Sequence, residues 1–217
     1  MKQEALQRVR PGFEDPVQDS QAVFRRVLEA LSMPGRVVEL PVRATLPECQ
    51  GSAAAAQTLL ALLDSKCSLW LSPSLQGSDA EAWLRFHTGC RCVSDPAQAQ
   101  FLWLAVGDEW PALAALHRGT DESPDQSATC IMEVESISGT AGQAWTLQGP
   151  GILGEQALSV RGLSADFEDQ WAANHALFPR GVDVLLAVQG QLVGLPRTTR
   201  VISELVTGPR SLAAMEA

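Results

Sequence analysis

The chain has no tyrosine, only three histidines and only two lysines, so few side chains are available for acid–base or covalent chemistry. Fourteen of its 16 basic residues are arginines, and the lysines are Lys2, in an N-terminal tail, and Lys66. A Schiff-base mechanism therefore has one serious candidate, Lys66. The longest apolar runs, at residues 59–63 and 184–188, are far too short to span a bilayer. The first ten residues, MKQEALQRVR, lack an apolar signal core, which predicts a cytoplasmic protein. No P-loop, G-x-S-x-G elbow, H-E-x-x-H helix or C-x-x-C pair occurs. Positive charge is scarce as well. A net charge of −9 excludes a general binder of nucleic acid or anionic membrane, since either needs a broad positive field.

What remains is ordinary globular material: 217 residues, 46% hydrophobic and 19% charged. Folding a chain of this length buries roughly 70% of its surface, enough for one core without disulfides or metal. A single domain over 1–217 is expected, with tails at 1–10 and 208–217. Asp15-Pro16 is a helix start, with a capping carboxylate before a proline at the first helical position. Val17, Phe24, Val27, Leu28 and Leu31 then recur at helical spacing as one apolar face, and Met33-Pro34-Gly35 stops the helix. Residues 36–42 alternate as a strand, and Ser52 caps a helix to about Leu63. Residues 67–71 and 101–106 read as buried strands, 79–87 as a helix ending at Gly89, and 110–117 as a short helix.

Beyond a polar loop at 119–127, residues 129–134 and 144–147 suggest a hairpin around a turn at 138–142, with a short strand at 158–161. Asp166 caps a helix to about Leu177 with Phe167 and Trp171 on one face. The apolar strand 182–188 returns through Gly190-Gln191 to 192–195. Helix–strand alternation followed by hairpins predicts an α/β fold, a three-layer α/β/α sandwich with helices on both faces of a mixed sheet.

Gly149-Pro150-Gly151-Ile152-Leu153-Gly154 matches the dinucleotide-binding pattern G-x-G-x-x-G, but residues 158–161 alternate as a strand where a helix should follow. A glycine-proline turn is the better reading, and no NAD is expected. His87, Cys90 and Cys92 could offer three zinc ligands, but no fourth lies nearby. Reduced structural thiols are expected, Cys67 and Cys130 as small core residues, and no metal. Arg197, Thr198, Thr199 and Arg200 place two guanidinium forks and two hydroxyls at a strand end, a candidate grip for phosphate or phosphonate oxygens. Arg36, after the Pro34-Gly35 turn, is a weaker member of such a site. The same arginines equally suit a solvated turn or a subunit interface. Phe178-Pro179-Arg180-Gly181-Val182-Asp183 reads as a structural corner whose proline and glycine set Asp183 at the head of a buried strand. Trp70 and Trp103 fall in core-like strands, while Trp83 and Trp110 lie near helix ends and are better candidates for a docking patch.

Ordered along the chain are PGFEDPV at 11–17, Ser20-Gln21, Phe24-Arg25, Met33-Pro34-Gly35, Gly119-Thr120, Pro124, Ser127-Ala128-Thr129, LQGPGI at 147–152, FPRGVD at 178–183 and LPRTT at 195–199. This set resembles the PhnH family of the bacterial carbon–phosphorus lyase system. The resemblance implies the fold of the large domain of type I pyridoxal-phosphate transferases, without the cofactor. That chemistry needs a lysine near a late strand, whereas Lys66 precedes an early one. It further implies an accessory subunit with no catalytic residues of its own, a homodimer partnered by PhnG, PhnI and PhnJ. That assembly supports formation of ribose 1-alkylphosphonate 5-triphosphate from ATP and an alkylphosphonate. A small homodimeric anion-binding protein or enzyme, contacting ATP or phosphonate through the arginine and threonine cluster, is the alternative.

Overall fold

A computed structural model of the chain describes residues 10–41, 51–137 and 143–203. Helix α1 (Pro16–Ser32) begins as expected: the Asp15 carboxylate accepts the Val17 and Gln18 amides, each at 3.0 Å. Ser52 caps α2 (Ala53–Leu62) through the Ala55 amide. Ser78 caps α3 (Asp79–Thr88), which Gly89 ends in the left-handed region at φ 70°.

The strands are β1 (Val38–Glu39), β2 (Ser68–Leu71), β3 (Arg91–Cys92), β4 (Phe101–Leu104), β5 (Thr129–Glu133), β6 (Ser136–Ile137), β7 (Gln143–Gln148), β8 (Gln156–Arg161), β9 (Asp183–Val188), β10 (Gln191–Leu195) and β11 (Arg200–Ser203). Seven form one sheet in the order β1-β10-β9-β5-β4-β2-β3, parallel from β9 to β3 and antiparallel at the β9–β10 and β10–β1 pairs. The other four form an antiparallel sheet in the order β11-β7-β8-β6.

The strands in the middle of the large sheet are apolar throughout because both of its faces are covered. Leu69, Leu71, Trp103, Ile131 and Leu185 pack beneath α1, α2 and α3. Leu102, Leu104, Cys130, Met132, Val184 and Leu186 face the small sheet and helix α4 (Phe167–His175). There Trp145, Phe167 and Trp171 form a stacked aromatic run with centroids 5.7 and 6.1 Å apart.

Several expectations are corrected. The second face of the sheet is covered by a four-stranded sheet plus one helix, not by helices alone. Residues 129–134 and 144–147 do not form a hairpin: β5 lies between β4 and β9, whereas β7 joins β8 and β11. The turn at 138–142 lies outside the described residues. The helix expected at 110–117 contracts to a single 3-10 turn, Leu113–Ala115. The strand at 36–42 shortens to two residues, with residue 42 itself outside the described set. Asp166 occupies the N-cap of α4 without a side-chain cap bond; its carboxylate takes the Gln170 side-chain amide instead.

Trp83 is core, donating to the Pro11 carbonyl, so it cannot serve a docking patch. The apolar face read along α1 splits. Val27 turns inward with Val23 and Ala30, while Val17, Phe24 and Leu28 are exposed. Among the described residues, no helix is long and apolar enough to cross a membrane.

Candidate functional site

Asp183 begins β9 and Arg197 follows β10, so the β9–β10 hairpin brings the two together. Asp183 Oδ1 accepts the Arg197 backbone amide (2.8 Å) and Nε (3.1 Å), and Oδ2 accepts Nη2. Nη2 also donates to Ser127 Oγ, and Nη1 donates to the carbonyls of Pro124 (2.7 Å) and Pro179 (3.3 Å). All five guanidinium N–H donors are thus engaged inside the chain. An anion reaching Arg197 has to displace a carboxylate, a hydroxyl or a backbone carbonyl. Burial and the neighbouring Asp183 charge both push the Cys130 thiol, beneath this pair, far up.

Helix α4 tightens the same corner. The buried Asn174 side chain accepts the Val182 amide (2.8 Å) and donates to the Val182 carbonyl (3.0 Å). A Cβ at Gly181, where φ is 127°, would crowd Asn174 Oδ1 at 3.0 Å. His175 Nδ1 lies 2.9 Å from the Arg197 carbonyl, and Trp171 Nε1 donates to the Thr199 carbonyl (2.9 Å). The Phe178–Pro179 peptide is cis, and Arg180 pairs with Asp121. The 119–129, 178–183 and 195–199 segments therefore meet at one place. Asn174 gave no sequence signal beyond its position three residues after Trp171, on the inner side of α4.

A second junction is made of glycine. The 149–154 segment is the turn between antiparallel strands β7 and β8, closed by the Ile152 amide on the Gly149 carbonyl. A strand–turn–strand leaves no helix N-terminus to receive a pyrophosphate. A Cβ at Gly151 would strike the Ser32 carbonyl, and one at Gly149 would meet the Thr198 carbonyl at 2.8 Å. Gly35, at φ 79°, packs on Leu147 and Gln156 beside the buried Pro34. The Pro34-Gly35 stop, the β7–β8 turn and the Thr198-Thr199 backbone are consequently nested.

The remaining arginines stand apart from Arg197. Arg36 is exposed and lies 3.0 Å from Met33 Sδ and 3.7 Å from Glu29. Arg200 is exposed on β11, opposite Gln148. Thr198 is half-buried. Thr199 is fully buried, and its hydroxyl has no hydrogen-bond partner among the described residues. His87 Nε2 contacts the Arg10 carbonyl (3.0 Å), while the Cys92 thiol donates to Cys90 and lowers Cys90 to about 6 as its own rises. Among the described residues, no group of three histidine, cysteine, aspartate or glutamate side chains is placed to hold a metal.

A cleft of about 990 Å³ opens outside the carboxyl ends of β4 and β5, where open α/β sheets commonly hold ligands. Its floor includes Met132, Leu113 and Phe167. Its rim carries Asp108, Glu109, Asp166 and Glu135, the last paired with Arg161 at 3.4 Å. Hydrogen bonds from Ser164 and Gln170 hold the Asp166 carboxyl low, so this rim is negative and opposes phosphate or phosphonate. Nearby, buried Glu133 ends β5. Its Oε1 accepts Trp103 Nε1 (2.7 Å) and the Ser52 amide (2.6 Å) at the start of α2, while burial pushes its pKa up.

The sequence matches the family described as bacterial phosphonate metabolism protein (PhnH) over residues 11–202. It is 38% identical over 192 residues to the alpha-D-ribose 1-methylphosphonate 5-triphosphate synthase subunit PhnH of Rhizobium meliloti (strain 1021), covering 88% of this chain and 94% of that one. It is 36% identical over 182 residues to the putative C-P lyase subunit protein HtxG of Stutzerimonas stutzeri, covering 83% and 85% respectively. The segments that form the arginine corner and the glycine junction all lie inside the matched region, and the chain belongs to the PhnH family of phosphonate metabolism proteins.

Proposed function

We propose that this chain is an accessory subunit of the carbon–phosphorus lyase assembly, supporting synthesis of ribose 1-alkylphosphonate 5-triphosphate from ATP and an alkylphosphonate. It contributes structure and docking surface in place of an active site. The observation that carries this reading is Arg197, the motif arginine best suited to a phosphonate, whose five donors are all consumed internally. The acidic rim of the cleft outside β4 and β5 supports it too, because an anionic substrate is repelled there.

In this reading the chain is one domain, layered like the large domain of a type I pyridoxal-phosphate transferase but working without that cofactor, without NAD and without metal. Lys66 is exposed in the loop that enters β2 at its amino end, away from the carboxyl edge, so it does not fit a Schiff-base role. The partners are PhnG, PhnI and PhnJ in the cytoplasm, with a homodimer as the free form.

Co-expression with those three chains, followed by size exclusion with mass detection, tests the reading, and stoichiometric co-elution is expected. Calorimetry of the isolated chain against ATP and methylphosphonate should give no binding heat. A free homodimer that binds either ligand, with binding lost in Arg200→Ala or Arg36→Ala, would instead favour the anion-binding alternative at those exposed arginines.

A further inference from the structure

Helix α4 buries Trp171 and Asn174 but leaves Ala173 exposed beside the 112–118 segment. Between helix and segment lies a groove of about 300 Å³. Its walls are apolar, Ala112, Leu113 and Ala114 on one side and Ala173 and Leu177 on the other. The segment runs alongside the helix in the same direction. The Leu113 amide donates to Gln170 Oε1 (2.8 Å), and the Gly181 amide, beyond the end of α4, donates to the Arg118 carbonyl (2.9 Å). The groove therefore has two unlike ends, Asp169 at the first and Arg118 at the second. The helical rise from Asp169 to Leu177 is about 12 Å.

Neither end residue forms an ion pair among the described residues. Asp166 and Glu168 flank Asp169, so the first end is negative throughout. The exposed Asp121, Glu122 and Asp125 that follow Arg118 line no part of the groove, and Asp121 is taken by Arg180 (3.1 Å).

The chain carries a segment of complementary order that begins close by. The Thr199 carbonyl, just before β11, accepts Trp171 Nε1. At the other end of β11, Ser203 pairs with Trp145, whose Nε1 donates to Glu168 Oε1 (2.8 Å). Strand β11 thus delivers the chain to the start of α4, the Asp169 end of the groove. Residues 204–217, ELVTGPRSLAAMEA, follow it and lie outside the region that matches the family. Gly208-Pro209 is a turn signal. After it come Arg210, the apolar Leu212 and Met215, and Glu216. Basic, apolar and acidic residues in that order match a groove that is acidic, apolar and basic. Extended, the seven residues from Ser203 to Arg210 reach about 23 Å, enough to cross a helix roughly 10–12 Å wide.

We propose that residues 210–216 double back over the start of α4 and fill this groove. Leu212 and Met215 pack against Leu113, Ala173 and Leu177, with Arg210 beside Asp169 and Glu216 beside Arg118. Leu212 and Met215 are three residues apart, the spacing that shares one face of a helix. The segment covers an apolar surface in the free chain, whether or not the chain joins an assembly.

The test uses the full chain with benzoylphenylalanine in place of Leu212, irradiated and mapped by mass spectrometry. Attachment to residues 112–118 or 169–177 is expected, in a product of monomer mass whose yield does not change on dilution. Arg210→Asp and Asp169→Arg should each lower that yield about threefold, and the two together should restore it. Arg118→Glu with Glu216→Arg repeats the exchange at the other end and carries the test if Asp169→Arg perturbs α4. Ala173→Glu should lower the yield about tenfold by placing a carboxylate on the apolar wall. Asp169 and Ala173 are exposed, so unfolding midpoints should barely move. Attachment elsewhere, or none, overturns the proposal. So does a product of twice the mass that disappears on dilution, which would give the groove to a second copy, and so do charge reversals that leave the yield unchanged.

Discussion

Asp183 holds Arg197 through three contacts: the backbone amide and Nε on one carboxylate oxygen and Nη2 on the other. Their side chains are only 24% and 12% exposed. Removing one partner strands the other charge in a poorly solvated place. Asp183→Asn should therefore lower unfolding free energy by about 3 kcal/mol in urea titrations. Arg197→Lys should also destabilise, because an ammonium cannot serve a carboxylate, a hydroxyl and two carbonyls in one plane. A stable Asp183→Asn chain would refute the structural role given to this pair.

Glu133 makes stability depend on pH. Burial raises its pKa in the folded state above the ordinary carboxylate value of 4.5, so the native chain holds its proton where the unfolded chain has released it. Stability is then full below about 4.5 and falls as pH rises through the raised value. Glu133→Gln keeps an acceptor for Trp103 and Ser52 and should flatten this slope. Glu133→Ala leaves the buried Trp103 donor and the half-buried Ser52 amide unpaired and should cost about 2–4 kcal/mol. Chemical denaturation of the three proteins between pH 4 and 8 distinguishes these outcomes.

Three glycine-to-alanine changes separate crowding from backbone strain. At Gly190 φ is not positive and a Cβ meets nothing within 4 Å, so the substitution should be near neutral. Gly154 has open space but φ 76°, and should lose about 1 kcal/mol. Gly151 combines φ 83° with a clash against the Ser32 carbonyl and should lose well over 2 kcal/mol. Thermal melts should rank them in that order. Equal losses at 151 and 154 would mean that α1 and the β7–β8 turn are not in contact.

Thr199→Val tests the buried hydroxyl. With no partner among the described residues, the oxygen contributes only its desolvation cost, so valine should leave stability unchanged or raise it by up to about 1 kcal/mol. A clear loss, measured by urea unfolding, would show that the hydroxyl has a partner in solution.

Much was legible in short stretches. The Asp15-Pro16 and Ser52 helix starts, the Gly89 stop, the unbroken apolar strands and the β9–β10 return each depend on a few adjacent residues. Caps and turns are settled by local hydrogen bonds and φ preferences, so these features need no distant partner. The charge balance and the near absence of lysine and tyrosine likewise bounded the chemistry from composition alone.

Only the tertiary structure decided which strands pair. Residues 129–134 and 144–147 look like a hairpin, and nothing in either segment records that β5 is taken up between β4 and β9. The face of α1 was undecidable for a similar reason: the helix has two apolar stripes, and only packing against α2 and β10 buries the one containing Val23 and Val27. Arg197 and Thr199 look like ligand donors in sequence, but their engagement depends on Asp183, Ser127, Pro124 and Trp171, up to 73 residues away. Composition and local preference determined the elements and the excluded chemistry. Long-range pairing and the saturation of buried donors set the topology and the state of the arginine corner, because those depend on which distant groups the fold brings within bonding distance.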